Sequence, residues 1–220
     1  MKIHKSVFNL FQETTRIISK DSRDCIVVDP GFSDEKERKQ FFDLLEKEGL
    51  KVSAVLITHG HYDHTAGAKD LQDAFGCPVY MSPLDIPVLV YNFELCGKLG
   101  LPIPDFGFRR TDVKDGDEFC AAGFSFKVIA TPGHTPGGVC YLCEEDGFIL
   151  TGDTLFSGTI GRTDLKYGEY DDIIVSVMDH LMILDAGLKV LPGHGPDTTI
   201  GYERINNPFL EPWGEKEETE

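Results

Sequence analysis

The chain has 220 residues, of which 41% are hydrophobic and 26% charged, as in ordinary globular proteins with a buried core. Its 37 acidic and 21 basic residues give a net charge of −16, which argues against nucleic-acid binding because that requires a basic surface. No stretch is long and apolar enough for a membrane span, and the N-terminus lacks the apolar core of a signal peptide, so we expect a cytoplasmic protein. We expect one domain over residues 1–210 and an acidic, flexible tail over 211–220.

The first half of the chain alternates short apolar runs with amphipathic stretches. Ser33 is expected to cap the first helix and Gly49 to end it. The alternation predicts an α/β fold. The predicted elements are, in chain order, strands at 7–11, 15–18 and 25–29, a helix beginning near residue 33, a strand at 54–57, a helix at 66–75 and a strand at 78–81.

The strand at 54–57 is followed at once by three histidines and an aspartate within six residues. His59 and His61 are two residues apart, so their side chains point the same way at an extended strand end. Asp63 and His64 follow a turn and can face the same space from another side. Imidazoles together with carboxylates suit zinc above all, with iron and manganese as alternatives, so this stretch predicts a metal site.

Residues 82–110 interrupt the alternation with an apolar and aromatic segment that four prolines punctuate. Two interpretations fit this segment: one helix with a connecting loop, or a lid over the metal site. Its basic residues, Lys98, Arg109 and Arg110, are candidate contacts of an anionic substrate. Tyr62, which lies between the candidate metal ligands, could face the substrate or only cover the metal.

Three strand ends in the second half also carry candidate ligands. One Pro-Gly-His loop presents His134, a Gly-Asp loop presents Asp153, and a second Pro-Gly-His loop presents His194. Glycine lets the backbone approach closely in such turns, while proline fixes the flanks. Arg162 and Asp164 are expected to pair and brace the loop after Asp153.

The second half also predicts a second set of strands and helices. Because strands and helices arrive in two similar batches, we expect two sheets packed face to face with helices outside. The predicted elements are three short strands between 119 and 150, an amphipathic helix that Asp171 or Asp172 caps and Gly187 ends, a strand at 189–191 and a short helix at 202–207.

The six cysteines are scattered along the chain, which favours free and mostly buried thiols in a cytosolic protein. Cys140 and Cys143 have the spacing of a redox or zinc motif, but residues three apart on a strand point to opposite faces. We therefore expect this pair to be structural.

The ordered histidine and aspartate motifs resemble those of the metallo-β-lactamase superfamily over about residues 27–194. The resemblance implies an αβ/βα four-layer sandwich of two mixed β-sheets flanked by helices, with a metal site at one edge. It also implies two divalent metal ions, for which Zn²⁺ is the first expectation and iron or manganese the alternative. The first ion would be held by His59, His61 and His134, the second by Asp63, His64 and His194, and both by a bridging Asp153.

Several phrases narrow the resemblance within the superfamily. Residues 28–31, 131–138 and 152–156 are similar to type II glyoxalases, the hydroxyacylglutathione hydrolases, and residues 157–164 resemble their short single-domain relatives. This similarity implies a hydrolase of small-molecule thioesters or esters, with S-lactoylglutathione among its substrates. The full-length enzymes carry a further helical domain that supplies basic residues to glutathione, whereas this chain ends soon after Pro208, which predicts loose binding of the thiol portion.

The resemblance also implies catalytic roles for two aspartates. Two divalent ions can share a water and bring its pKa towards neutrality. Asp153 would fix the spacing of the two ions, and Asp63 would lie beside the attacking hydroxide and orient it. A thiolate leaves without protonation, so the reaction requires no general acid.

Other functions of related design remain alternatives. They are a mononuclear-iron persulfide dioxygenase, a lactonase or other ester hydrolase of the same superfamily, a diiron electron-transfer protein, and a metal-binding module without catalysis. The diiron proteins usually have glutamate in place of the second histidine of the cluster, so His61 argues against them. One iron with oxygen consumption would indicate the dioxygenase, and two ions with hydrolysis would indicate the hydrolase.

Overall fold

The computed structural model describes residues 1–20 and 23–210, so the expected tail at 211–220 lies outside the described residues. The strands are β1 Lys2–Phe8, β2 Glu13–Ser19, β3 Asp24–Val28, β4 Lys51–Leu56, β5 Val79–Met81, β6 Arg110–Asp112, β7 Glu118–Ala121, β8 Phe124–Ala130, β9 Val139–Cys143, β10 Phe148–Gly152, β11 Leu155–Phe156, β12 Thr159–Ile160, β13 Lys189–Pro192 and β14 Thr198–Thr199. The α-helices are α1 Glu35–Glu48, α2 Tyr62–Thr65, α3 Ala68–Phe75, α4 Ile86–Leu99, α5 Tyr170–Val175 and α6 Ile200–Asn206. Within these ranges, no helix has the length and apolarity that crossing a membrane requires.

Two mixed sheets form the centre of the molecule. The first has the strand order β1-β2-β3-β4-β5-β6 and the second the order β14-β13-β10-β9-β8-β7. In the first sheet, β1 to β3 pair antiparallel and β3 to β6 pair parallel. In the second, β10 and β13 are parallel and the other pairs antiparallel. This arrangement confirms the predicted two-sheet α/β architecture.

Three hydrophobic clusters show that the sheets and helices form four layers. The inner cluster joins the facing sides of the two sheets, with Ile26 of β3 against residues such as Phe126 of β8. An outer cluster packs the first sheet against α1, α3 and α4, and another packs the second sheet against α5. Since both faces of the central strands are buried, β3 and β9 are apolar at nearly every position.

The ends of two elements in the first half differ from the prediction. The first strand spans Lys2–Phe8 rather than 7–11, and it ends at Phe8 because Asn9 and Gln12 have positive φ angles and the chain turns between them. Asp34 rather than Ser33 caps α1, since its side chain accepts from the Glu37 N–H at 2.8 Å. Gly49, with a φ of 66°, ends α1 as predicted.

Two predictions for the second half were also wrong. The segment 119–150 contains four strands rather than three, because the chain turns again in the loop between β8 and β9. The helix after residue 169 has Asp171 and Asp172 in its first turn, not at its cap. It ends in a π-helical turn at Leu181 rather than at Gly187, with the Met182 N–H bonded to the Val177 carbonyl at 2.9 Å.

The described cysteines are all free, and all but Cys120 are buried. Cys140 lies in the outer cluster of the second sheet and Cys143 in the cluster between the sheets. The two thiols therefore point to opposite faces of β9, as expected for a structural pair.

Candidate metal centre

Four strand ends meet at one edge of the sandwich and present the predicted ligands to each other. The loop after β4 carries the histidine cluster, and the loop after β8 carries His134. Asp153 directly follows β10, and His194 lies two residues after β13. All seven predicted ligands converge there, in groups whose ligand atoms lie within 4.8 Å of one another.

The first group consists of His59, His61 and His134. The Nδ1 atom of His61 lies 3.0 Å from the Nε2 atom of His134, and the ring of His59 lies 4.8 Å from both of the other rings. Three imidazole nitrogens therefore face one small volume, which is the ligand set of a histidine-rich zinc or iron site.

Asp63, His64 and His194 form another group, and a third, of His59, His64 and Asp153, shares one histidine with each of these two. The Nε2 atoms of His64 and His194 are 3.2 Å apart, and the Asp63 Oδ2 atom lies 3.3 Å from the His194 Nε2 atom. The loops after β4 and β13 thus supply a second complete triad beside the first.

Asp153 lies between the two triads. Its Oδ2 atom is 3.6 Å from the Nε2 atom of His134 in the first triad and 3.5 Å from that of His194 in the second. Its Oδ1 atom is 3.5 Å from the Nε2 atom of His64. This carboxylate is the group best placed to contact ions held by both triads.

Asp29, which directly follows β3, orients His64 directly and His59 through Thr58. Its carboxylate accepts from the Thr58 N–H at 2.8 Å and from the Thr58 hydroxyl at 2.7 Å, and its Oδ2 atom lies 3.0 Å from His64 Nδ1. Because Thr58 donates its hydroxyl proton to Asp29, its oxygen accepts from His59 Nδ1 at 3.1 Å. Both imidazoles therefore carry the proton on Nδ1 and present Nε2 to the site.

The backbone of the loop after Asp153 orients the third histidine. The Nδ1 atom of His134 lies 2.7 Å from the carbonyl oxygen of Arg162, so it donates there and leaves Nε2 free. Arg162 in turn makes a bidentate pair with Asp164, at 2.7 and 2.8 Å, which confirms the predicted brace.

Among the seven predicted ligands, two buried atoms have no hydrogen-bond partner: His59 Nε2 and Asp153 Oδ1. Native proteins rarely leave a buried polar atom unsatisfied, because its lost hydration costs about 1–3 kcal/mol. Both atoms are potential ligand atoms that face the other ligands. The residues present therefore fit a bound divalent ion.

Two histidines of the first triad, His59 and His61, are held in the neutral form that binds metal. Burial, together with the neighbouring His64 and His134 rings, keeps the pKa of His59 well below its usual value. Burial and the adjacent His134 ring lower the pKa of His61 to about 3. No proton then competes for these nitrogens.

The second triad holds charged groups in close contact. Although burial opposes both shifts, Asp153, Asp63 and Asp29 raise the pKa of His64, and the His64 charge with a hydrogen bond from His194 lowers the pKa of Asp63. The carboxylates thus attract positive charge to this spot, and a proton on His64 and a divalent ion compete for it.

A cavity of about 570 Å³ opens onto the triads. The helix α4 confirms the predicted helix within 82–110 and forms one wall of the cavity, whereas a lid motion stays a prediction. The loop after Asp153 supplies two cationic side chains to the lining, Arg162 and Lys166, and Lys166 lies over the ring of Tyr91 in α4. The cavity is lined by Phe11, His61, Tyr62, Asp63, Tyr91, Leu95, Leu99, His134, Asp153, Phe156, Ile160, Arg162, Leu165, Lys166 and His194.

Tyr62 reaches the cavity, but Arg109 and Arg110 are not among its lining residues. Arg110 begins the edge strand β6 and pairs with Asp112 at 3.0 Å, while the backbone of Arg109 bonds to the side chain of Gln72. The structure therefore places neither arginine at this cavity, because the chain leaves the site after α4, and their contact with a substrate stays a prediction.

Several residues around the site were not identified from the sequence. Asp29 had a detectable signal, since it ends a buried strand as the acidic ligands do. Lys166 and the buried Asp85 had none, because their positions follow from the packing of distant segments.

With this geometry, comparison with known proteins identifies the family. Residues 12–204 match the family model of the metallo-β-lactamase superfamily. The hydroxyacylglutathione hydrolase GloC of Haemophilus influenzae is 34% identical over 206 residues, which cover 91% of this chain and 93% of that protein. The structure of the BLEG-1 B3 metallo-β-lactamase superposes with a TM-score of 0.87 at 29% identity, covering 96% of this chain and 100% of the other. TTHA1623, solved in a di-iron-bound form, gives a TM-score of 0.82 at 33% identity, covering 94% and 100%.

The chain belongs to the metallo-β-lactamase superfamily. Its fold is the metallo-β-lactamase fold of two mixed sheets flanked by helices. This membership supports metal-dependent hydrolysis as the general activity of the chain.

Proposed function

We propose that the chain is a dinuclear metal-dependent hydrolase of small acyl thioesters, with S-lactoylglutathione among its substrates. The observation that carries the proposal is the position of Asp153 between two complete ligand triads that open onto one cavity. A mononuclear site would leave the second triad, Asp63, His64 and His194, without a role.

In this proposal each ligand has one task. His59, His61 and His134 would hold one ion, Asp63, His64 and His194 would hold the other, and Asp153 would be shared between them. When bound, the ions supply an acidified water and polarise the carbonyl of the substrate. Zinc, iron and manganese all suit the donor set, and the di-iron form of the related TTHA1623 favours including iron in the assay.

The walls of the cavity suit a thioester with an anionic thiol portion. Lys166 provides positive charge at the cavity wall, where a substrate carboxylate can be bound, whereas the guanidinium of Arg162 is already paired with Asp164. Lys166 also lies over the ring of Tyr91, 4.4 Å from its centroid, so its position is fixed by a cation–π contact. Leu95 and Leu99 of α4 offer an apolar surface to the carbon chain and exclude water.

The catalytic step requires little else from the protein. Asp63 lines the cavity and lies 3.3 Å from His194, so its carboxylate can orient the attacking water. The leaving thiolate needs no proton, and no other acid is required. The similarity to the hydroxyacylglutathione hydrolase GloC, over almost the full length of both chains, supports the substrate class.

The test is thiol release by the metal-replete protein from S-lactoylglutathione and from simpler acyl thioesters at matched concentrations. Metal content is determined on the same sample, and a β-lactam, a lactone and a persulfide with an oxygen electrode serve as controls. We expect thioester turnover with about two ions per chain. Inert thioesters, together with turnover of a lactone or oxygen uptake with the persulfide, would overturn the proposal.

A further inference from the structure

Gly60, between His59 and His61, is held at both its N–H and its carbonyl by residues of the segment that contains α4. Asp85, which precedes α4, accepts from the Gly60 N–H at 2.7 Å, and Asn92 of α4 donates to the Gly60 carbonyl at 2.9 Å. Both side chains are fully buried. Neither contacts the cavity, so these bonds have no evident role in binding substrate.

The same Asp85 carboxylate also holds the loop that carries His134. It accepts from the Thr135 hydroxyl at 2.7 Å and from the Gly137 N–H at 2.6 Å. One buried carboxylate thus joins the two loops that supply all the ligands of the first triad. The β4 loop also carries Asp63 and His64 of the second triad, but the Asp85 carboxylate is bonded to that loop only at Gly60, between His59 and His61.

The backbone of Asp85 is tightly packed against both loops. A Cβ atom at Gly60 would lie 2.9 Å from the backbone oxygen of Asp85, and one at Gly137 would lie 2.6 Å from its backbone nitrogen. Real Cβ atoms do not approach other atoms so closely, so both positions require glycine around Asp85.

We propose that Asp85 is a positioning residue that sets the relative placement of His59, His61 and His134 and thereby selectively tunes metal affinity at the first triad. The inference rests on the metal assignment of the proposed function. Three donors converge on a carboxylate with two oxygens, and no neutral side chain of this shape accepts all three. In Asp85→Asn the new amide group would face a backbone N–H or the Thr135 hydroxyl, and the two loops would separate. Groups that orient metal ligands typically change metal affinity about 10–100-fold when they are replaced.

The experiment measures zinc affinity by competition with a chromophoric chelator in two backgrounds. His194→Ala leaves the first triad complete, and His61→Ala leaves the second triad complete. We expect Asp85→Asn to weaken zinc binding about tenfold or more in the first background and by less than about twofold in the second.

Glu203 provides a matched control because it too is a fully buried carboxylate with three donors. It accepts from the Gly158 N–H, the Thr198 hydroxyl and the Asn207 amide, none of which belongs to a ligand-bearing loop of the first triad. We expect Glu203→Gln to lower the melting temperature while it leaves zinc affinity in the His194→Ala background unchanged.

The proposal would be overturned if Asp85→Asn weakened zinc binding equally in both backgrounds. It would also be overturned if Glu203→Gln weakened zinc binding in the His194→Ala background as much as Asp85→Asn does. If Asp85→Asn does not fold, Thr135→Val takes its place, because it removes one donor and should weaken the first site in the same direction. Unchanged affinity in that variant would also overturn the proposal. A wild-type protein that binds no zinc would instead contradict the proposed function, so the two failures are distinguishable.

Discussion

At the level of single residues, three aspartates contribute to this site in three different ways. Asp153 lies among the ligand atoms of both triads, whereas Asp29 lies behind His64 and Thr58 and fixes the ring nitrogen that faces the site. Asp85 is bonded to no ligand side chain; it holds the backbone of the two loops that carry the first triad, at Gly60 and Gly137. Replacing one of these aspartates should therefore weaken metal binding at one or both positions, depending on which ligands or loops its carboxylate contacts.

Replacing Asp153 with Ala should weaken metal binding at both positions and reduce kcat/KM by at least about 100-fold, since the Asp153 carboxylate lies within 3.6 Å of ligands in both triads. The fold should survive, because the strands that form the core do not depend on this side chain. Metal content and circular dichroism are measured on the same sample.

The exposed Asp171, in the first turn of α5, is the control for loss of a negative charge. Asp171→Ala should keep both metal content and activity. Wild-type metal occupancy and turnover in Asp153→Ala would contradict the bridging assignment.

The helix α4 combines two roles at the level of elements. Its preceding turn and its first half hold Gly60 through Asp85 and Asn92, while its second half gives Leu95 and Leu99 to the cavity wall. Because the start of the segment is bonded into the histidine loop, a lid motion of residues 82–110 would involve the later residues and not its anchored beginning.

The wall formed by α4 can be tested with two substitutions on the same helix. Leu95 is half-buried and lines the cavity, whereas Val90 is 62% exposed and does not. Removing part of the apolar surface at Leu95 costs on the order of 1 kcal/mol of binding, so Leu95→Ala should raise KM several-fold for thioesters with little change in kcat.

Steady-state kinetics on a series of acyl thioesters is the measurement, with Val90→Ala as the control. The increase in KM should grow with the length of the apolar chain in the substrate. An equal KM change in both variants would show that α4 acts only through stability.

The strands and ligands could be predicted because their signals are local. Short apolar runs, each closely followed by His or Asp, place the ligands at strand ends, and His59 and His61 share a direction through strand geometry alone. Asp85 could not be assigned, since its partners Gly60 and Gly137 are 25 and 52 residues away and meet it only in the folded chain. Arg109 and Arg110 could not be placed for the same reason: their charge was visible, but the path of the chain after α4 was not.

The negative net charge of the whole molecule favours cation binding at the site. The net charge is −16, and the edge where the sheets meet concentrates Asp29, Asp63 and Asp153 around buried histidines. Metal ions would connect loops from both sheets, because the β4 loop belongs to the first sheet and the β8, β10 and β13 loops to the second. Metal binding should therefore stabilise the sandwich as a whole.

Removing the ions with a chelator should lower the melting temperature by roughly 5–10 °C. A ligand at 100 times its Kd stabilises by about 2.7 kcal/mol, and about 1 kcal/mol moves Tm by roughly 2–4 °C in a domain of this size. Differential scanning calorimetry before and after chelation, and after zinc is added back, is the measurement. An unchanged Tm on complete metal removal would contradict a structural link between the two sheets through the site.

The most direct test of the dinuclear centre is the metal stoichiometry of the wild-type protein and of two ligand variants. After metal removal, reloading and desalting, the wild-type chain should retain about two ions, because the two triads hold one each. His61→Ala and His194→Ala should each retain about one, since each loses a ligand of a different triad. A single ion in the wild-type protein under metal-replete conditions, or loss of all metal in both variants, would contradict the account.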